Sequence, residues 1–105
     1  MKTLMILSMA MALLASPSWG YEQEDLDKLA ATNTCQECDL AGADLSGTVL
    51  GVAFLPLADL RRADLGGTVL TGAVLRDAKI DFADFTKAKF CNTVMPDGQR
   101  IFKDC

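Results

Sequence analysis

Four cysteines, Cys35, Cys38, Cys91 and Cys105, are the residues of this chain best suited to chemistry. The first two form a Cys-x-x-Cys unit, Cys35-Gln36-Glu37-Cys38. That spacing supports thiol–disulfide exchange when a βαβ framework holds it, and no such pattern surrounds it here. Zinc is the other chemistry open to thiols, but it requires all four sulfurs in one place. The chain contains no histidine, which removes Ser-His and Cys-His nucleophilic sites. Paired carboxylates could still serve as acid and base, given a pocket able to shift a pKa. Gly66-Gly67 lies in no phosphate-binding context. The residues therefore point away from an enzyme, and no cofactor, catalytic residue or metal ligand is expected.

The compartment follows from the first twenty residues. Lys2 precedes an apolar run, Leu4 to Leu14, broken only by Ser8, and Ser18 and Gly20 sit at −3 and −1 before Tyr21. This is the layout of a secretory signal peptide over residues 1–20, too short for a span of roughly 20 apolar residues. No cysteine follows the cleavage site, so no stable membrane anchor is expected after cleavage. The destination is secreted or periplasmic, as in bacteria, where disulfides persist. Cleavage leaves 85 of 105 residues and removes one positive charge, taking the net charge from −4 to −4 − 1 = −5. Tyr21 to Leu60 holds eight acids and one base, whereas Arg61 to Cys105 holds six acids and eight bases. No basic patch of nucleic-acid type is present. A chain this small needs staples or repetition to hold together.

Repetition is present. Every fifth residue from position 40 is large and apolar: Leu40, Leu45, Leu50, Leu55, Leu60, Leu65, Leu70, Leu75, Ile80, Phe85, Phe90 and Met95. The residue two before each is small: Cys38, Ala43, Thr48, Ala53, Ala58, Ala63, Thr68, Ala73, Ala78, Ala83, Ala88 and Thr93. Neither a helix nor an isolated strand has a period of five. A second period of twenty overlies it, because Ala43 to Leu50 recurs as Ala63 to Leu70 and, more weakly, from Ala83.

Ala43-Asp44-Leu45, Ala58-Asp59-Leu60 and Ala63-Asp64-Leu65 resemble the Ala-(Asp/Asn)-Leu-x-x consensus of the pentapeptide-repeat family. The resemblance covers Cys38 to Asp97 and implies an all-β solenoid. Its fold is a right-handed quadrilateral β-helix of about three turns, with the central Leu or Phe and the preceding Ala pointing inward. A side chain larger than Ala or Thr at the small position would overpack the narrow axis. Open terminal turns call for caps. Residues 21–37 form the first, with a short capping α-helix over Glu22 to Thr32 that Asn33 could end. Leu26, Leu29 and Ala30 share its apolar face. At the other end Met95-Pro96-Asp97-Gly98 is a turn signal, and the tail, residues 98–105, should fold Ile101 and Phe102 over the last turn. With three turns between them, the two ends lie ~10 Å apart, beyond the ~7 Å Cα separation that a disulfide spans. The implied pairing is Cys35 with Cys38 and Cys91 with Cys105.

Four pentapeptides per turn would stack residues twenty apart into columns. The residue before each core position then gives Asp44, Asp64 and Asp84 in one column and Val49, Val69 and Lys89 in the next. Phe54, Val74 and Val94 form the third, and Asp39, Asp59 and Lys79 the last. The family consensus wants Asp or Asn at these positions, so Val49, Val69, Phe54, Val74 and Val94 mark an apolar patch on two adjacent faces, with Val52 and Leu57 beside it. The patch suits an unknown protein partner or a homodimer. The Asp44, Asp64 and Asp84 column could attract a cation such as Ca²⁺, though one carboxylate per turn is thin coordination.

The leading expectation is a non-catalytic extracytoplasmic structural or interaction module. Two alternatives remain: a DNA-mimic topoisomerase-binding protein, as in the quinolone-resistance relatives of the family, which the secretory leader opposes, and a periplasmic Cys-x-x-Cys thiol–disulfide protein. Leu65→Asp tests the repeat itself: a charge at a central core position should abolish cooperative unfolding in a thermal melt, and a melt near wild type would refute the inward assignment.

Overall fold

The computed structural model describes residues 20–105. The secretory leader read above, apart from Gly20, lies outside the described residues. The backbone returns alongside itself every twenty residues. Nine parallel bridges record this, among them Asp39↔Asp59, Asp44↔Asp64, Val49↔Val69 and Phe54↔Val74. Continued downward they join Asp59 to Lys79, Asp64 to Asp84, Val69 to Lys89 and Val74 to Val94. The four columns anticipated from the twenty-residue period are therefore present. The first bridge, Thr34↔Phe54, starts the coil four residues before the Cys38 boundary that the spacing marked.

Each rung is a single bridge because each side of the coil is short. A parallel pair donates in both directions: Leu45 N–H to Asp64 C=O at 2.8 Å and Asp64 N–H to Ala43 C=O at 2.9 Å. Between rungs the chain turns a corner, where Ala43 N–H donates to Leu40 C=O at 3.1 Å and Ala63 N–H to Leu60 C=O at 3.1 Å. The third residue of every such turn is left-handed, as in type II turns. The series runs without a break through Glu37, Gly42, Gly47, Val52, Leu57, Arg62, Gly67, Gly72, Asp77, Phe82, Lys87 and Asn92. Left-handed residues also carry the ladder around the corner: Gly42 N–H donates to Arg61 C=O at 2.9 Å and Val52 N–H to Thr71 C=O at 2.8 Å.

The large inward residues fill the axis. Leu40, Leu45, Leu50, Leu55, Leu60, Leu65, Leu70, Leu75 and Phe90 are buried, as are the alanines at 43, 53, 58, 63, 73, 78 and 88. Threonine fits the small position when its hydroxyl finds a carbonyl: Thr68 Oγ1 donates to Leu65 C=O at 2.8 Å and Thr93 Oγ1 to Leu70 C=O at 2.6 Å. Ile80, Phe85 and Met95 are half-buried, since no further turn covers them. The bulkier side chains of this last turn close the end in part, with the Phe85 and Phe90 rings 5.7 Å apart.

Two caps complete the molecule. Helix α1 (Gln23–Thr32) has acids Glu24 and Asp25 in its first turn and ends on Asn33, left-handed at φ 58°, whose N–H donates to Leu29 C=O. It is pinned at both ends to the first turn. Asp25 Oδ2 accepts from Asp39 N–H at 2.7 Å and Glu22 N–H donates to Asp39 C=O at 3.0 Å. At the far end Asn33 Nδ2 donates to Gly51 C=O at 2.8 Å. Leu29 is buried and Leu26 half-buried, but Ala30 is exposed, contrary to the apolar face expected for it. Thr48 is exposed as well. The helix is fastened over the Asp39 and Phe54 columns and leaves the rest of the first turn uncovered.

At the other end β1 (Thr93–Val94) pairs antiparallel with β2 (Arg100–Ile101), in register Thr93↔Ile101 and Val94↔Arg100. Asp104 clamps the tail by accepting from Phe90 N–H at 2.8 Å and donating its own N–H to Phe90 C=O at 2.8 Å. Ile101 is half-buried, whereas Phe102 remains exposed, so only one of the two tail residues expected over the last turn packs there. Both implied disulfides are formed, Cys35–Cys38 and Cys91–Cys105, with Cα atoms 5.3 Å and 4.9 Å apart.

The corners store strain. Val52 is β-branched, left-handed at φ 52°, and exposed. An L-residue in this region costs roughly 1–2 kcal/mol, and branching makes it a clear outlier. Its Cγ1 would lie 3.0 Å from a Cβ on Gly72 one turn below. Val52→Gly relieves the strain at a chain-entropy cost of roughly 0.5–1 kcal/mol. The variant should unfold a few degrees above wild type in a thermal melt; a lower midpoint would show that Val52 contributes packing that outweighs its strain.

Candidate interaction faces

The outward Asp of each repeat has a structural task. At each corner without proline, the N–H of the residue after the core position faces no neighbouring turn. Where Asp stands two residues earlier its Oδ1 accepts that N–H: Asp44 from Ser46 at 3.1 Å, Asp59 from Arg61 at 3.1 Å, Asp64 from Gly66 at 2.9 Å and Asp84 from Thr86 at 2.9 Å. Hydroxyls reinforce two of these, Ser46 Oγ donating to Asp44 at 2.6 Å and Thr86 Oγ1 to Asp84 at 2.5 Å. Arg61 adds Nε and Nη2 bonds to Asp59 at 2.9 Å and 2.7 Å. The Asp44, Asp64 and Asp84 column is thus a stack of turn caps. Among the described residues no three carboxylates or thiols converge to hold a metal ion.

Val and Phe cannot make this bond. On the Phe54 column the chain carries Pro56 and Pro96 where the cap would act, and proline has no N–H to satisfy. The apolar departures thus lose a cap, with proline removing the need for one at two places. Val49 is 74% exposed and Phe54 43%, with the corner residues Val52 at 74% and Leu57 at 46% beside them. Val69 and Val74 are half-buried, shielded by the turns above and below. Val94 is a correction: at 3% exposure it is buried within the terminal hairpin and contributes nothing to an exposed patch. The patch therefore centres on the first full turn and fades down the coil.

A further exposed aromatic was not signalled by the core periodicity. Phe82 sits at a left-handed corner, 83% exposed, below Arg62, whose guanidinium carbon lies 5.4 Å from the ring centroid. The corner period, two residues after each core position, would have revealed it. The cysteines divide by access. Cys35 and Cys38 are buried, whereas Cys105 is exposed. Two formed disulfides suit an oxidising environment. Among the described residues no helix is long and apolar enough to cross a membrane.

Residues 58–95 match the family model for pentapeptide repeats, in eight copies. That segment is made of pentapeptide repeats. A comparison with curated proteins finds no match. Among solved structures, the chain is similar to Rfr23, a pentapeptide repeat protein from the cyanobacterium Cyanothece 51142, at 18% identity and a TM-score of 0.42, covering 70% of this chain and 67% of that one. It is also similar to HetL from Nostoc sp. strain PCC 7120, a pentapeptide repeat protein involved in heterocyst differentiation regulation, at 25% identity and a TM-score of 0.29. That match covers 65% of this chain and 43% of HetL. A third, a pentapeptide repeat protein from Nostoc PCC 7120, shares 20% identity at a TM-score of 0.29, covering 76% of this chain and 79% of that one.

Hydrogen bonds from Ser46 and Thr86 hold the Asp44 and Asp84 carboxyls below the ordinary carboxylate range, and the Arg61 side chain does the same for Asp59. A folded-state pKa below the unfolded one gives stability that is present above about pH 4 and lost as pH falls through the folded value. Melting temperature should therefore drop as pH falls below about 4. Asp44→Asn with Asp59→Asn and Asp84→Asn, which keep an oxygen acceptor at each corner, should flatten that drop. An unchanged slope would show that these carboxylates are not linked to folding.

Proposed function

We propose that this protein is a non-catalytic, extracytoplasmic structural or interaction module, delivered by its leader and built on a right-handed quadrilateral β-helix. The observation that carries this reading is the exposed cluster Val49, Val52, Phe54 and Leu57 on adjoining faces of the first full turn. Two of these, Val52 and Leu57, are held left-handed. Exposed apolar residues kept at conformational cost are what a contact surface requires and what a merely solvated surface has no reason to retain. The partner is another protein or a second copy of this chain.

The alternatives are weaker. The acidic Asp44, Asp64 and Asp84 column adjoins Asp39 and Asp59 on one side only, and Lys79 and Lys89 end the two neighbouring columns, so the negative surface is narrower than a DNA mimic needs. Thiol exchange through Cys35 and Cys38 requires attack on a sulfur, and both residues are buried under α1 and the first turn.

Phe54→Lys with Val69→Lys tests the reading. Lys89 already occupies the Val49 column, so the fold should persist, with circular dichroism near wild type. Self-association by sedimentation, or capture of a partner from the periplasmic fraction, should fall at least tenfold. Undiminished association would remove the lateral face from the proposal.

A further inference from the structure

The first turn leaves a hydrogen-bonding edge uncovered. Each rung residue uses its neighbours to pair with the turn below, so its own N–H and C=O point to the turn above. For Phe54 that turn exists: its N–H donates to Asn33 C=O at 3.0 Å and its C=O accepts from Cys35 N–H at 2.8 Å. For Asp39 the cap supplies partners through Asp25 and Glu22. For Asp44 and Val49, among the described residues, nothing does. Their rungs are bonded downward through Ala43 C=O, Leu45 N–H, Thr48 C=O and Leu50 N–H, and the corner at Gly47 opens onto free space.

Beside this edge runs a cleft of about 280 Å³ between α1 and the first turn. Its walls are largely apolar, including Leu26, Leu29, Leu45 and Leu50, while Asp27 and Asp44 line it as well. An unpaired edge flanking an apolar cleft is the arrangement that binds an extended peptide by strand addition. The Val49 side is the better one, because its exposed residue is apolar, whereas the Asp44 carboxylate is taken up by Ser46. A strand laid along it would donate to Val49 C=O and accept from Val49 N–H. Its alternate side chains would enter the cleft, and the others would stay in solvent.

Charge identifies the occupant. Tyr21 to Leu60, which includes the whole of this rim, carries eight acids and Lys28 as its one base. We infer that the N-terminal rim is a docking groove for an extended segment of another protein, with apolar residues alternating with Lys or Arg. Acidic surroundings favour such a segment and disfavour its acidic counterpart. The groove shares Val49 with the lateral face, but it takes that residue's backbone and the floor of the cleft and uses neither Phe54 nor Val69.

The probe is a fluorescein-labelled octapeptide of alternating Val and Lys, read by anisotropy on the purified, disulfide-bonded protein. Saturable binding is expected, with at least tenfold weaker binding of the peptide bearing Glu for Lys. Val49→Pro removes an N–H that the fold does not use, and should weaken binding at least tenfold while the melt stays cooperative. Ala30→Trp, which fills the cleft from an exposed helix position, should do the same and carries the test if Val49→Pro unfolds. Phe54→Lys with Val69→Lys should leave peptide binding unchanged, which separates this groove from the lateral face. The inference is overturned if the Val-Lys peptide fails to bind, if the acidic peptide binds equally, or if Ala30→Trp binds like wild type. It is also overturned if the protein alone forms a dimer that Val49→Pro dissolves, since a second copy would then fill the rim.

Discussion

The backbone ladder between turns is the constraint under which everything else in this protein is arranged. Each turn must return in register with the one before, or the N–H and C=O groups facing along the axis lose their partners. Keeping that register over twenty residues demands four corners of equal size. Every corner therefore takes a left-handed third residue, whether glycine or not. Glycine occupies four of the twelve and accepts the conformation without strain. Elsewhere Val, Leu, Phe, Arg and Lys are forced into it by the pairing on either side. The ladder thus overrides local preference, and its cooperativity offsets the local cost.

The same geometry assigns the outward residues their roles. Asp at the rung caps the one corner N–H that the ladder cannot use, which explains the acidic consensus as a hydrogen-bonding requirement before any question of binding arises. Where Val or Phe stands instead, the cap is lost, and Pro56 and Pro96 show the chain removing the donor where the acceptor is missing. The apolar face is therefore more than a relaxation of sequence. It coincides with strained corners at Val52 and Leu57, and it lies on the turn nearest the helical cap.

The ends obey a different rule. A coil has no natural stop, so each end must satisfy a turn's worth of backbone groups with something other than another turn. At the C-terminal end a hairpin and the Asp104 clamp cover the Val94 and Lys89 columns, and the Cys91–Cys105 bond ties that tail down. At the N-terminal end α1 and the Asp25 carboxylate cover two columns of four. The cover is incomplete at both ends, and the uncovered N-terminal rim is where edge, cleft and negative charge meet.

Much of this was legible in the chain itself. A strict period of five with alternating small and large positions has no helical or simple strand solution, so the repeat and its columns could be read before any coordinates, while the inward positions and the disulfide partners followed from the likeness to pentapeptide repeats. These are local consequences of a repeat, identical from turn to turn. What the repeat could not express was decided by tertiary structure, at the places where repetition stops. Val94 occupies an outward position but is buried by a hairpin; Thr48 occupies an inward position but is exposed; Ala30 lies on the apolar side of its helix but touches solvent. Each outcome depends on how a cap settles against a terminal turn. Period predicts what one turn does to the next, and carries no information about a turn that has no neighbour.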